Sequence, residues 1–182
     1  VTASIDHRWG WSAASPLGWP ALCDWLRDPG SLTERLRRHC RDFRVEVLAS
    51  EALLSLTPQQ KALLDCEQAY CREVLLYCDE TPWVYASSLY SPATRAAMPQ
   101  LTGLGRRALG ELLFDAPDLQ RSTFEFAELT NDERIRLCHR AGLDPSPGPL
   151  WGRRSVLATG RARVLVTELF LPAVPAYQEP VA

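Results

Sequence analysis

The stretch Leu150–Pro172, LWGRRSVLATGRARVLVTELFLP, decides the fold. It reads as two strands joined by a tight turn at Thr159-Gly160. Side chains alternate along a strand, so Val164, Val166, Glu168 and Phe170 share one face and Leu165, Thr167, Leu169 and Leu171 the other. Glu168 therefore stands in the middle of an apolar row. A carboxylate buried alone is costly, so something must meet it, either another side chain or a ligand. On the first strand Arg153 and Arg154 are neighbours and must point to opposite faces, which predicts that one of them faces into the protein.

Working outward, Cys71–Cys78 (CREVLLYC) repeats the anomaly with opposite sign. Arg72, Val74, Leu76 and Cys78 share a face, putting a guanidinium at the end of an apolar row. Asp79-Glu80-Thr81-Pro82 is a turn and Trp83–Tyr90 the returning strand, stopped by Ser91-Pro92. Alternation also predicts strands at 43–48 and 121–128.

Helices fall between the strands. Pro20–Arg27 places Leu22, Trp25 and Leu26 on one side. Ser31 and Glu34 form a capping box for a helix burying Leu32, Leu36 and Cys40. Thr57-Pro58-Gln59-Gln60 opens another helix, and Thr130-Asn131-Asp132-Glu133 opens one that runs to about Arg140 and ends at Gly142. Arg106–Phe114 can form a short helix. The result is an α+β domain, a single antiparallel sheet with helices packed on one face.

The 182 residues fit one domain covering 1–182, with 1–19 as an N-terminal arm whose tryptophans lie on the core and 173–182 as a tail. The apolar and charged fractions, 46% and 23%, are those of an ordinary globular chain, and the net charge of -2 gives no reason to expect nucleic acid as a partner. No apolar run approaches the ~20 residues of a membrane-inserting span. The six cysteines include no C-x-x-C pair, and the first twenty residues lack the apolar core of a signal peptide. Six reduced thiols in a cytoplasmic protein are therefore expected.

Several chemistries are excluded. There is no G-x-S-x-G, and His7, His39 and His139 fall in the arm or in helices, so a serine triad is not expected. No His/Asp/Glu cluster has metal-ligand spacing, and the glycines of Leu101–Gly105 lack the Lys-Ser/Thr of a phosphate loop. What remains is Arg72 and Glu168, with Arg153 or Arg154 as a third member. Two readings stand: a buried Arg–Glu pair that fixes strand register, or a pocket where Arg72 binds a carboxylate and Glu168 handles a hydroxyl or a proton.

The blocks REVLLYC (72–78) with Pro82-Trp83, Leu109-Gly110 with Leu113-Phe114, LWGRRS (150–155) and TELFLP (167–172) with Pro175 and Tyr177 strongly resemble the chorismate pyruvate-lyase family, in that family's order. The resemblance covers about residues 20–177. It implies a monomer with an enclosed pocket under two helix-turn flaps. It also implies conversion of chorismate to 4-hydroxybenzoate and pyruvate without metal or cofactor, as the first step toward ubiquinone. By resemblance Arg72 binds the ring carboxylate, assisted by the backbone at Leu109 and Leu32, and Glu168 meets the ring hydroxyl. Arg153 or Arg154 would hold the enolpyruvyl carboxylate. Tight grip on a flat product implies product inhibition. Two departures stand out. Many members carry an Arg on the returning strand where this chain has Ser87, and 129–149 is longer than in short members. The same fold also serves non-catalytic effector-binding domains of transcription regulators, but the first twenty residues are too short for a helix-turn-helix. A lyase giving another hydroxybenzoate is the third possibility.

Overall fold

The computed structural model describes residues 9–145 and 147–178. Among these, strands β1 (Phe43–Ser55), β2 (Gln68–Cys78), β3 (Thr81–Tyr90), β4 (Gln120–Arg121), β5 (Glu125–Glu128), β6 (Trp151–Thr159) and β7 (Ala162–Phe170) form one sheet. Its order is β1-β2-β3-β7-β6-β4, with β5 also pairing β6, and every pairing is antiparallel. Helices α1 (Pro20–Arg27), α2 (Leu32–Arg37), α3 (Pro58–Leu64), α4 (Pro92–Ala97), α5 (Leu109–Leu113) and α6 (Asn131–Arg140) lie between the strands. The α+β, single-sheet architecture is the one expected.

The hairpins fix the register. Gly152 pairs with Leu169, Arg153 with Glu168 and Thr159 with Ala162, with Gly160 at φ 54° in the turn. Arg72 pairs with Ser88, and Ala86 with Glu168. One row therefore crosses five strands, Val74–Ala86–Glu168–Arg153–Phe126, and the next is Arg72–Ser88–Val166–Ser155. Because alternation is strict, these rows share one face.

Both faces carry helices, a wider distribution than the single covered face expected. On the first face Leu22, Trp25 and Leu26 of α1 and Leu32 and Leu36 of α2 pack on Val74, Leu76, Ala86 and Phe170. Leu109 and Leu113 of α5 pack on Tyr90, Leu157 and Val166 there. On the second face Leu137 and Cys138 of α6 meet Leu75, Tyr85 and Leu169, while Leu64 of α3 meets Cys71, Leu89 and Leu165. The reason is in β7. Leu165, Leu169 and Leu171 are as apolar as the row opposite them, so the second face needs cover too.

Several sequence features are explained by close packing. A Cβ at Gly152 would lie 2.0 Å from Leu169 Cδ2 and 2.9 Å from the Glu168 carbonyl, so the glycine of LWGRRS admits the leucine of TELFLP. The Tyr177 hydroxyl accepts from Trp151 N–H (2.7 Å) and donates to the Phe170 carbonyl (3.0 Å), stitching the tail to β6 and β7. Its burial pushes the phenol well above its ordinary value. In the arm, Trp9 is buried, Ser12 bridges Phe126 on β5, and Trp19 is exposed.

Local expectations met several corrections. Strand β1 runs on to Ser55 because two register irregularities, with Glu51 at φ 62°, break the alternation that would have revealed it. Ser91-Pro92 stops β3 at Tyr90 as expected and also starts a helix: Ser91 Oγ accepts from Thr94 N–H and Pro92 is the first residue of α4. Helix α2 has its Ser31 cap but ends at Arg37. Cys40 therefore lies beyond it, in a disulfide with Cys78. This overturns the reading of six reduced thiols; Cys23, Cys66, Cys71 and Cys138 form no disulfide among the described residues. The two partners are 38 residues apart and meet only because Phe43 pairs with Cys78 across β1 and β2.

The second face carries both Ser87 and the helix of the 129–149 segment. Ser87 is buried on that face, beside Glu73 in register. An Arg there would point away from the first face. Glu73 is 4% exposed and is paired instead with Arg140 at the end of α6, the helix that the long 129–149 segment provides.

Two predictions follow from packing and charge. Gly152→Ala should lower the unfolding free energy by about 1–3 kcal/mol through overpacking, read as a fall in urea midpoint at unchanged slope. Arg140→Ala should cost about 2 kcal/mol by leaving Glu73 buried and unpaired, and adding Ser87→Arg should recover part of that loss in the same measurement.

Candidate functional site

The cavity on the first face has its floor in the two polar-bearing rows. It is lined by Arg72, Val74 and Leu76 of β2, Ala86 and Ser88 of β3, and Val166 and Glu168 of β7, with Leu157 and Arg121 toward the far edge. Its roof is the start of α2, through Leu32 and Thr33, and of α5, through Ala108, Leu109 and Gly110. About 500 Å³ is empty, counted out to its open mouth. The two roof pieces touch: a Cβ on Gly110 would sit 3.0 Å from Thr33 Oγ1 and 3.3 Å from Ser31 Oγ. Only a residue without a side chain lets these two short helices meet over the sheet.

Glu168 and Arg153 are direct cross-strand neighbours, and Arg153 Nε donates to Glu168 Oε2 at 2.6 Å. Arg153 is 1% exposed, and its Nη1 donates to the carbonyls of Trp25 (3.1 Å), Leu26 (3.3 Å) and Asp28 (2.6 Å) at the end of α1. It thereby satisfies carbonyls that a helix leaves unpaired at its C-terminus. The two readings of Glu168 coexist: it is in an ion pair, and it lines the cavity. Its partner, however, is Arg153 rather than Arg72.

Arg72 is 5% exposed, yet among the described residues no carboxylate lies within ion-pair distance of it. Its Nη2 donates to the carbonyls of Gly105 and Arg107, both at 2.9 Å, which draws the segment before α5 over the sheet. Burial pulls its pKa below the ordinary guanidinium value, with Tyr90 opposing that shift. A buried cation lining a cavity without an anion is an electrostatic vacancy. Arg72 and Glu168 are separated by two strand spacings and two residues along the strand, roughly 12 Å between Cα atoms. They hold opposite ends of the floor.

The structure decides between the paired arginines. Arg154 lies on the second face, where Nε donates to Glu125 at 2.8 Å and Nη2 to Gln59 at 3.3 Å, with its guanidinium over the Trp11 ring. It is withdrawn as a substrate-binding candidate. Arg153 lies on the cavity side but is occupied by Glu168 and the α1 carbonyls. The residue that sequence reading missed is Arg121. It pairs with Leu157 in register, which directs it to the cavity face. The strand expected over 121–128 is broken into β4 and β5, so alternation counted from Phe124 and Phe126 puts Arg121 on the wrong face, and only its pairing with β6 orients it. His39 packs edge-on between Trp25 and Trp83, and His7 lies outside the described residues.

With this geometry in hand, the chain can be set beside known proteins. Its fold matches that of ligand-binding and effector domains of transcription regulators. The effector domain of PhnF from Mycobacterium smegmatis aligns with TM-score 0.57 over 79% of this chain and 89% of that one, at 16% identity. The ligand-binding domain of a GntR-family regulator from Bordetella bronchiseptica aligns with TM-score 0.51 over 72% and 84%, at 12% identity. At such identities only the fold is shared. Sequence goes further. A profile of the chorismate lyase family matches residues 6–181. Proteins named probable chorismate pyruvate-lyase are similar along most of their length. That of Dechloromonas aromatica is 40% identical over 161 residues, covering 85% of this chain and 89% of the relative. That of Idiomarina loihiensis is 38% identical over 162 residues, covering 88% and 83%. The chain belongs to the chorismate lyase family. No helix among the described residues is long and apolar enough to cross a membrane.

The α1–α2 turn that anchors Arg153 has a pH signature. Burial tends to raise the Asp28 carboxyl, but the Gly30 N–H and the Arg35 guanidinium outweigh it and hold the group below its ordinary value of 3.8. A carboxyl lowered on folding stabilises the protein above its unfolded pKa, and that contribution disappears as pH falls through the folded value. The drop in Tm between about pH 5 and about pH 3, where an ordinary aspartate titrates, should be smaller in Asp28→Asn than in the parent protein.

Proposed function

We propose that this protein converts chorismate to 4-hydroxybenzoate and pyruvate, acting as a cytoplasmic monomer at the first step toward ubiquinone. The observation that carries the reading is Arg72: a buried guanidinium without a carboxylate partner among the described residues, lining the same cavity as Glu168. Family membership supplies the substrate, and the cavity supplies complementary ends for it. The ring carboxylate lies against Arg72, where a planar fork binds two oxygens. The ring rests on Val74, Leu76, Ala86 and Val166, and the hydroxyl end meets Glu168. Leu32 and Leu109, the first residues of α2 and α5, close over it.

In the reaction the ether C–O bond breaks and its electron pair leaves with the enolpyruvyl oxygen. The proton on the hydroxyl-bearing ring carbon departs, its electron pair completes the aromatic ring, and a proton is returned to the enol carbon to give pyruvate. Aromatisation drives this, so the protein's task is orientation and one proton transfer. Glu168 is placed to act on the hydroxyl-bearing end, and the Arg153 hydrogen bond fixes its carboxylate. Residues that close over a flat acid also slow its departure, which supports product inhibition. A regulator-like sensor of the same fold would bind the aromatic acid but leave chorismate intact.

Incubation of the purified protein with chorismate, without added metal, should yield 4-hydroxybenzoate and pyruvate in equal amounts on chromatography; product at the spontaneous rate only would refute the reading. Glu168→Gln should lower kcat by about 10²–10⁴-fold with binding of 4-hydroxybenzoate retained. Arg72→Ala should weaken both substrate and product by about tenfold or more, the loss of a charge-assisted pair.

A further inference from the structure

The cavity holds a second cation that neither the family pattern nor the Arg72–Glu168 pair uses. Arg121 reaches it from the edge of the sheet, and Leu157, its register partner, lines the same wall. Its Nη1 donates to Ser155 Oγ at 2.8 Å. Its guanidinium lies 4.8 Å from the centre of the Phe124 ring and 5.3 Å from that of Phe114. Its Nε is buried and has no hydrogen-bond partner among the described residues. No described carboxylate is within ion-pair distance of it. Two aromatic rings and a serine therefore hold a planar fork in place with donors to spare, in surroundings where an unpaired charge is costly. Burial accordingly pulls its pKa down, while Glu168 opposes that shift and Arg153 adds to it, which places Arg121 in the field of the Glu168 end of the cavity.

The substrate proposed above is a dianion, and its two carboxylates differ in what the products keep. One stays on the ring in 4-hydroxybenzoate; the other leaves with pyruvate. Arg72 answers one. Arg154 is on the other face, and Arg153 spends Nε on Glu168 and Nη1 on the α1 carbonyls; its remaining Nη2 is buried without a described partner, but Arg153, unlike Arg121, is not among the residues that line the cavity. We infer that Arg121, aimed by Ser155 and braced by Phe114 and Phe124, binds the enolpyruvyl carboxylate of the substrate. The inference rests on the lyase reading. It gives Arg121 a specificity role, distinguishing the dianionic substrate from the monoanionic aromatic product. Once the ether breaks, pyruvate is the ligand of Arg121 and 4-hydroxybenzoate the ligand of Arg72, so the two products are held by different cations and can leave separately.

Steady-state kinetics with chorismate, and the inhibition constant of 4-hydroxybenzoate, separate these roles. Arg121→Gln should raise KM for chorismate by at least tenfold while changing the 4-hydroxybenzoate inhibition constant by less than threefold, and Arg121→Lys should restore part of the loss. An inhibitor bearing both carboxylates in the substrate's arrangement, 3-(1-carboxyvinyloxy)benzoate, should lose affinity in parallel with KM. An unchanged KM overturns the inference, as does an equal loss for substrate and product, which would make Arg121 a general support of the pocket. If Arg121→Gln does not fold, Ser155→Ala tests the same contact: KM should rise severalfold with kcat and the product inhibition constant nearly unchanged, and an unchanged KM again overturns the inference. A parent protein that leaves chorismate intact would refute the lyase reading itself; a parent that converts it beside an indifferent Arg121→Gln would refute only this one.

Discussion

The Arg153–Glu168 pair is the contact on which the site depends. It joins adjacent strands in the middle of the sheet, and the same guanidinium collects three carbonyls at the end of α1. Burying two charges is expensive, and the attraction between them offsets this only when geometry is good and the remaining donors are used. Here Nε and Nη1 are both used, while Nη2 is buried without a hydrogen-bond partner among the described residues. The consequence is positional. A one-residue slip of β7 would send Glu168 to the other face and leave Arg153 unpaired, so register and site geometry are specified together. Helix α1 is tied to the same point, and the short Asp28–Ser31 turn carries that placement into α2 and the roof.

Charged residues near the middle of the sheet differ in how they are paired. Glu73 with Arg140, Arg154 with Glu125 and Glu168 with Arg153 are matched pairs. Among the described residues Arg72 and Arg121 have no carboxylate within ion-pair distance, and both line the cavity. A structure that pairs its buried charges elsewhere and leaves two cations facing one cavity is preorganised for an anionic ligand. Apart from Ser88 the floor between them is apolar, so orientation comes from the ends of the ligand rather than its ring.

The second face holds a buried charge pair of its own, apart from the cavity. Arg140 reaches Glu73 from α6, and Ser87 lies beside Glu73 in register. The strand alone cannot satisfy the Glu73 carboxylate, so α6 is tied to the sheet by charge as well as by Leu137 and Cys138.

Much of this was legible in the sequence. Alternation located both hairpins, the register of polar intruders on apolar rows marked Arg72 and Glu168, and capping residues announced α3 and α6 through Thr57–Gln60 and Thr130–Glu133. These signals are local: each depends on the chemistry of residues within a few positions of one another. What only the tertiary structure decided was long-range. It chose Arg153 over Arg154, since strand phase is fixed by β7 and β5 rather than by β6 itself. It joined Cys40 to Cys78 and Glu73 to Arg140. It also brought Arg121, on a two-residue strand with no periodicity of its own, into the cavity. The sequence determined which residues could not be buried alone; only the pairing of distant strands determined what each of them meets.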